Sequence, residues 1–566
     1  MKILFLFLLN EPYQNIVNAA ATPWKSKLNQ RLKIKKIDCV YPTGLLSISA
    51  YIQKYFPDAE IRILDCNTVL NQLAEKLQEK LVDCERSVFF EQCVRRLNGF
   101  QPDIIGISAL FCSNYQDMGD FCRFLKQKFN PRLLICGGHL PSAIFSKIFQ
   151  DQIPIDAIAF GEGEIPMKDL CFAFRDHNEK DYLAADSAWI TSEKLRNNPK
   201  FQPERHLIEN LDEIPPLDLS ILLDPDAYFH SSSYLFVMKE SAVHTKEILM
   251  FSTRGCPGRC VFCASQNVHG HKVRSYTIDR IKNDILFYNR KYGISRFVFF
   301  DDHFLARKKQ ALEILQFISE NNFSADISTP AFFSIDDEVA HAMRQVGIQE
   351  TNITIESGNA ETLRNIIHKP ANLHRAEEAV KSLHAAGIIA VSNILIGLPG
   401  ETPESIEEGI RFLASTDVNW FQCFVAAPLP GSEMYDICIK NDYLDKNADV
   451  FSMDFKKCVV HTPMFTPEFI EKKVYEMNLY LNFVNNYDMR TGNYEQALRI
   501  FERILQRVLP THAFAYYFAS KCAKKMGLDV KRQEYLDKYF EMIEKYSFWL
   551  DWVKHFNLPI SKDTAL

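Results

Sequence analysis

The stretch TRGCPGRCVFCASQ, residues 253–266, sets Cys256, Cys260 and Cys263 in a C-x3-C-x2-C spacing, with an aromatic, Phe262, before the last thiol. Three explanations compete. The thiols could be small buried side chains, but the polar and kinking residues among them (Thr253, Arg254, Gly255, Pro257, Gly258, Arg259) argue against it. They could hold zinc, but structural zinc takes four ligands, usually as two separated pairs, and no second pair follows. They could hold an iron–sulfur cluster. Four cysteines would saturate a 4Fe–4S cluster; three leave one iron open to a substrate or cofactor. Glycine and proline supply the tight turn around it.

The elements that must position these thiols follow in the chain. From 247 to about 435, short apolar runs alternate with helical patterns. The runs are ILMFST (248–253), RFVFFDDHF (296–304), ADIST (325–329), TNITIESG (351–358), VSNILIGLPG (391–400) and WFQCFVAAPLPG (420–431). Repeated strand–helix units predict a parallel sheet, and six of them a partial (β/α)6 barrel with its chemistry at the carboxyl ends of the strands. Polar and turn residues fall there: Asp301, Asp302, Glu356, Ser357, 397–401 and Pro428. The aspartates could also be a helix N-cap pair, and GLPGET a turn with Thr402 as cap. Glu356, closing an apolar strand, is expected to face a ligand or an ion pair.

The cysteine motif resembles that of the radical SAM enzymes, and the resemblance spans roughly 245–470. It implies a 4Fe–4S cluster on Cys256, Cys260 and Cys263. Its open iron chelates the amino and carboxylate groups of S-adenosylmethionine (SAM), which one electron cleaves to a 5′-deoxyadenosyl radical. Phe262 belongs to the motif. By the same resemblance, Asp301 and Asp302 stand where the SAM amino group is held. Glu356 and Ser357 contact its ribose or amino acid part. Gly397 and Pro399 let backbone approach the adenine, and Pro428 closes the set. The electron would come from a donor such as flavodoxin or ferredoxin.

The N-terminal third reads as a doubly wound α/β domain over 1–165, with strand candidates MKILFLFLLN, AEIRILDCN, PDIIGISAL, RLLICGGHLP and DAIAFGEGE. Ligands of such folds sit beyond the carboxyl ends of the strands. Small residues gather there: Thr43, Gly44, Ser108, Gly137, Gly138, Gly161 and Gly163. Either these are plain turns or they admit a large flat ligand or a phosphate; neither G-x-G-x-x-G nor G-x4-G-K-[ST] is present. The region is similar to the cobalamin-binding domain that precedes the radical SAM core in one large subfamily, through YPTGLLSISAYI, GGHLP (with His139) and GEGE (Gly161, Glu162, Gly163, Glu164). The cobalt-ligating histidine of D-x-H-x-x-G is missing: 65–70 reads DCNTVL, with Asn67 near its place. The resemblance then implies cobalamin held by glycine segments without a cobalt–histidine bond, His139 being a loop residue near the corrin, or else a degenerate domain that binds nothing.

Residues 166–244 read as a linker region, 245–463 as the barrel, and 464–566 as a helical domain. In the last, Gly492 and Gly527 are 35 residues apart, near the tetratricopeptide period. This domain could dock a protein or cover the barrel mouth; its aromatics are expected to be core. The other twelve of the 15 cysteines are scattered without a repeating spacing, which points to a reducing, cytoplasmic setting. The net charge of −6, with both signs mixed, offers no nucleic-acid footprint, and no stretch is apolar enough to span a membrane. The opening MKILFLFLLNEP, although NAAAT (18–22) offers small residues for cleavage, reads as a buried strand rather than a signal peptide.

The combined expectation is an α/β enzyme acting on a small-molecule or peptide substrate. The resemblance implies a cobalamin-dependent radical SAM methyltransferase acting on an unactivated carbon. A ring-forming or oxygen-inserting enzyme of the porphyrin-cyclase type, or a non-catalytic Fe–S and cobalamin binding protein, are the alternatives.

Overall fold

The computed structural model describes residues 1–13, 16, 37, 39–77, 85–229, 245–369, 372–445, 450–451 and 456–562. The stretch 18–22 and the 230–244 end of the linker lie outside them.

The opening apolar run is a central strand. β1 (Lys2–Phe7) lies between β2 (Glu60–Asp65) and β3 (Ile104–Ser108). The sheet continues through β4 (Leu133–Gly137) and β5 (Ala157–Ala159) to β6 (Trp189–Ile190), which is antiparallel and comes from the 166–244 stretch. Ile3, Phe5 and Phe7 enter one hydrophobic core and Leu4 and Leu6 another. A strand buried on both faces reads as a continuous apolar run. The chain turns to opposite sides after β1, toward β2 and then β3, which opens a crevice at their carboxyl ends.

The second domain has six parallel strands in two halves. One half is β7 (Glu247–Met250), β10 (Arg296–Phe299) and β11 (Ser324–Ile327), with β10 central. The other is β12 (Glu350–Glu356), β13 (Ile389–Ile396) and β14 (Trp420–Val425). The Thr354 N–H donates to the Pro330 carbonyl at 3.3 Å between the halves. After β7, a short antiparallel ribbon of β8 (Thr253–Arg254) and β9 (Arg274–Ser275) closes the base of the loop that carries the cysteines.

The open edge of β14 is covered by the C-terminal helices. The Asn482 side chain accepts from the Phe421 N–H and donates to its carbonyl, both at 2.8 Å, and so stands in for a neighbouring strand. Helices Ala513–Lys525 and Asp529–Lys545 then pack as a pair. Phe518 and Tyr539 are buried, with Tyr516, Tyr517 and Phe540 against the same core, as expected of packing aromatics. Among the described residues, no helix is long and apolar enough to cross a membrane.

Candidate active site

The cysteine loop is held by the two aspartates after β10. Oδ1 of Asp301 accepts from the backbone N–H groups of Ser252 (2.9 Å) and Thr253 (2.5 Å) and from both hydroxyls, each at 2.7 Å. Burial pushes its carboxyl up to about 6 against those donors. Asp302 accepts from the Gly255 N–H at 3.2 Å and the Ser265 hydroxyl at 2.5 Å, one on each side of the three thiols. Neither caps a helix: His303 takes that place on the short turn that follows. Asp301 clasps the loop through Oδ1, while its buried Oδ2 has no protein partner and the residue does not line the cavity described below. Asp302 clasps and also lines the cavity described below.

The thiols are partly buried. The Gly258 N–H donates to Cys256 Sγ at 3.4 Å, and a Cβ on Gly258 would sit 3.3 Å from Cys256 Sγ and 3.9 Å from Cys260 Sγ. Burial raises all three thiols, Cys260 to about 11. Lys369, buried, opposes this at Cys256 and Cys260.

Glu356 ends β12 with φ +72°, a left-handed backbone that a non-glycine residue adopts at a cost. It is buried, and its Oε1 lies 3.5 Å from Lys369 Nζ. Burial raises its carboxyl while Lys369 lowers it. Its charge adds to the raising of the Cys260 and Cys263 thiols, so it lies near the cluster loop, without lining the cavity described below. Ser357 is buried and accepts from the Asn359 N–H at 3.2 Å, shaping the turn. Gly397 has φ +93°, and Glu401 accepts from the Gly397 and Leu398 N–H groups at 2.8 and 2.9 Å. Thr402 caps helix Pro403–Ser415, as its plain reading held. Pro399 is half-buried and Pro428 buried.

A cavity of about 710 Å³ joins this loop to the N-terminal sheet. Its walls include Thr43, Gly44, Ser108, Gly137, Gly138, His139 and the 161–164 segment on one side, and Phe262, Cys263 and Asp302 on the other. The glycines leave room in different ways. A Cβ on Gly44 would meet nothing within 4 Å, and one on Gly106 would strike Phe5 at 2.7 Å. Leu110 and Phe111, 40% and 44% exposed, add an apolar wall. His139 opens helix His139–Gln150 instead of lying in a loop. One ring nitrogen pairs with the Pro430 backbone, and the buried Nε2 has no protein partner. Asn67 does not reach the cavity: it is buried, bonded to Asp65 and the Leu8 carbonyl. The place assigned to the missing histidine is therefore a structural clamp.

Sequence reasoning missed Arg254, Arg274 and Ser47. Glu162 and Glu164, expected at cobalamin, turn their carboxylates to these residues. The signal was present as an acidic pair in GEGE and an arginine two residues before Cys256, but nothing local joins them.

The residues fit the implied cofactors. An apolar, glycine-walled cavity with an unpartnered imidazole nitrogen suits a large flat macrocycle. Among the described residues no three His, Cys, Asp or Glu side chains converge on a single metal ion; in a cluster each thiolate takes a different iron.

Residues 38–171 match the B12 binding domain family and 250–413 the radical SAM superfamily. An uncharacterized methyltransferase of Pyrococcus horikoshii is 28% identical over 78% of this chain and 91% of its own length. The cytidylyl-2-hydroxyethylphosphonate methyltransferase of Streptomyces wedmorensis is 25% identical over 75% and 83%. The solved structure of the cobalamin-dependent SAM radical enzyme OxsB, with aqua-cobalamin bound, covers all of this chain with 82% of its own, at TM-score 0.61 and 13% identity, a likeness of fold. The chain thus carries a B12-binding domain ahead of a radical SAM domain.

Proposed function

We propose that this chain is a cobalamin-dependent radical SAM methyltransferase acting on an unactivated carbon of a small molecule. One observation carries the reading: a single cavity runs from the glycine wall of the B12-binding domain to Cys263 and Asp302. The cluster and SAM would supply a carbon radical, and cobalamin the methyl group.

The chain's own residues divide the work. Cys256, Cys260 and Cys263 would hold the cluster, and Asp301 and Asp302 fix the loop that presents them. Glu356, anchored by Lys369, would accept from the SAM amino group or ribose. The backbone beside Gly397 would take the adenine, with Glu401 holding that turn. Thr43, Gly44, Ser108, Gly137, Gly138 and Gly161 would cradle the corrin and its tail, with Leu110 and Phe111 as apolar wall. A one-electron donor such as flavodoxin or ferredoxin is required, and the C-terminal helices offer a surface to a protein partner. The described cysteines are all free thiols, which supports a reducing, cytoplasmic setting.

The test is anaerobic reconstitution followed by reduction. Release of 5′-deoxyadenosine, with transfer of a labelled SAM methyl group to carbon, supports the reading. Cleavage with ring closure or oxygen insertion and no transfer assigns the porphyrin-cyclase type instead. No cleavage at all returns the chain to a binding protein. The cob(II)alamin form should show no nitrogen triplet in electron paramagnetic resonance. A triplet that disappears in His139→Ala would replace the glycine-only cradle with a cobalt–histidine bond.

A further inference from the structure

The base of the cysteine loop contains an arrangement that the loop alone does not stabilise. Arg254 on β8 and Arg274 on β9 are directly paired across the two-residue ribbon. Like charges directly opposite on paired strands repel, and these two side chains are 11% and 2% exposed. Glu162, 2% exposed, reaches between them from the B12-binding domain. Its Oε1 accepts from Arg274 Nη2 at 2.5 Å and meets His269 Nδ1 at 2.7 Å. Its Oε2 accepts from Arg274 Nη1 at 3.0 Å and lies 3.3 Å from Arg254 Nη1. Glu164, from the next turn, accepts from Arg254 Nη2 at 2.8 Å and from the Ser47 hydroxyl at 2.5 Å.

All three cysteines lie between the two arginines in sequence. Gly255, with φ +91°, follows Arg254, and a Cβ there would strike the Lys272 carbonyl at 2.5 Å, so the ribbon closes tightly. Among the described residues, Glu162 alone has its carboxylate on both arginines, and it belongs to a segment that also walls the cavity. We infer that Glu162 is a positioning residue: it closes the cluster-bearing loop onto the B12-binding domain and so sets the separation of cluster and corrin. Glu164 is its auxiliary, holding Arg254 alone. Asp301 and Asp302 hold the ribbon from within its own domain, and Glu162 adds the hold that comes from the B12-binding domain. Its purpose in fixing a cofactor separation rests on the two-cofactor reading above, whereas closure of the ribbon does not.

Two measurements on the full chain test this. The first is hydrogen exchange of the Arg254, Arg274 and Tyr276 amides, which face across the ribbon, in the wild type, Glu162→Gln and Glu162→Gln with Arg274→Met. The single variant leaves two facing arginines around a neutral amide, and ribbon protection should fall by about 100-fold. The double variant removes the facing charge while Arg254 keeps Glu164, and protection should largely return. Unchanged protection in Glu162→Gln overturns the inference. So does a double variant as exposed, or as unfolded, as the single one, because that marks a packing defect rather than charge opposition.

The second is pulsed electron paramagnetic resonance of the holoenzyme, reading the distance between the reduced cluster and cob(II)alamin. Glu162→Gln should broaden or shift that distance, and an unchanged narrow distribution overturns the positioning role. A wild type that binds no cobalamin defeats the proposed function, yet the exchange arm still decides whether Glu162 closes the ribbon.

Discussion

Along β3 and β4 and the helix that opens at Thr43 the cavity wall is made by leaving side chains out: Gly106 within β3 beneath Phe5, Gly137 and Gly138 at the end of β4, and Gly44 opposite open space. At the ends of β7 and β10, on the other wall, the loop is held by carboxylates with several donors each. The first wall accommodates a large ligand by shape and backbone. The second must fix three thiols in place, and charge-assisted hydrogen bonds supply that rigidity. A site built from absences is damaged by adding atoms, and a site built from clasps by removing a charge or a ligand atom.

The sharpest separation of the two walls comes from the thiols. Cys256→Ala, Cys260→Ala or Cys263→Ala should abolish SAM cleavage and lower iron from about four per chain, while cobalamin binding persists. Iron assay and 5′-deoxyadenosine release check it; zinc in place of iron, or an active Cys260→Ala enzyme, breaks the assignment. Next, Glu356→Gln should weaken SAM binding by about 10- to 150-fold, the loss of a hydrogen bond to a charged group at roughly 1.5–3 kcal/mol. The cluster absorbance should not change. Unaltered SAM affinity would leave Glu356 as a structural partner of Lys369 only.

On the glycine wall, Gly44→Phe should cut cobalamin affinity by about 5- to 150-fold, the range that roughly 1–3 kcal/mol of overpacking gives. Iron content should be unaffected, as equilibrium binding and iron assay would read. If both fall together, the two walls are not separable.

The smallest effect lies at Glu401, whose carboxyl burial raises to about 7, with the Leu398 and Gly397 N–H groups opposing. The folded chain then binds more protons than the unfolded chain between about pH 4.5 and 7. The stability this carboxyl contributes is full below that range and falls as pH rises. Between pH 6 and pH 7 the loss should be about 1 kcal/mol. Glu401→Gln, whose amide oxygen can still accept from both N–H groups, should flatten that slope in denaturant titrations. An identical slope in the variant would place the titrating group elsewhere.

The strands were legible because a buried strand declares itself in neighbouring residues. MKILFLF is apolar on both faces, and five of the six barrel strands reach a Gly, Pro or carboxylate at their end or within three residues of it. The thiol spacing was legible for the same reason, since a loop of a few residues fixes which sulfurs can share a cluster. Gly397 and Glu356 were found at strand ends by this local logic. Their backbone angles of +93° and +72° were not.

What the sequence by itself determined is therefore the chemistry available and the order of elements that carry it. Only the tertiary structure decided which groups meet. Asp301 turned out to grip Ser252 and Thr253, nearly fifty residues earlier, and Glu162 to lie between Arg254 and Arg274, about a hundred residues later. Asn67 was drawn away from the cavity to the end of β1, and His139 was brought to the Pro430 carbonyl. Hydrophobic periodicity is a property of covalent neighbours and survives in the linear text. A buried carboxylate is stabilised by whichever donors packing delivers, and that identity exists only once the chain has folded.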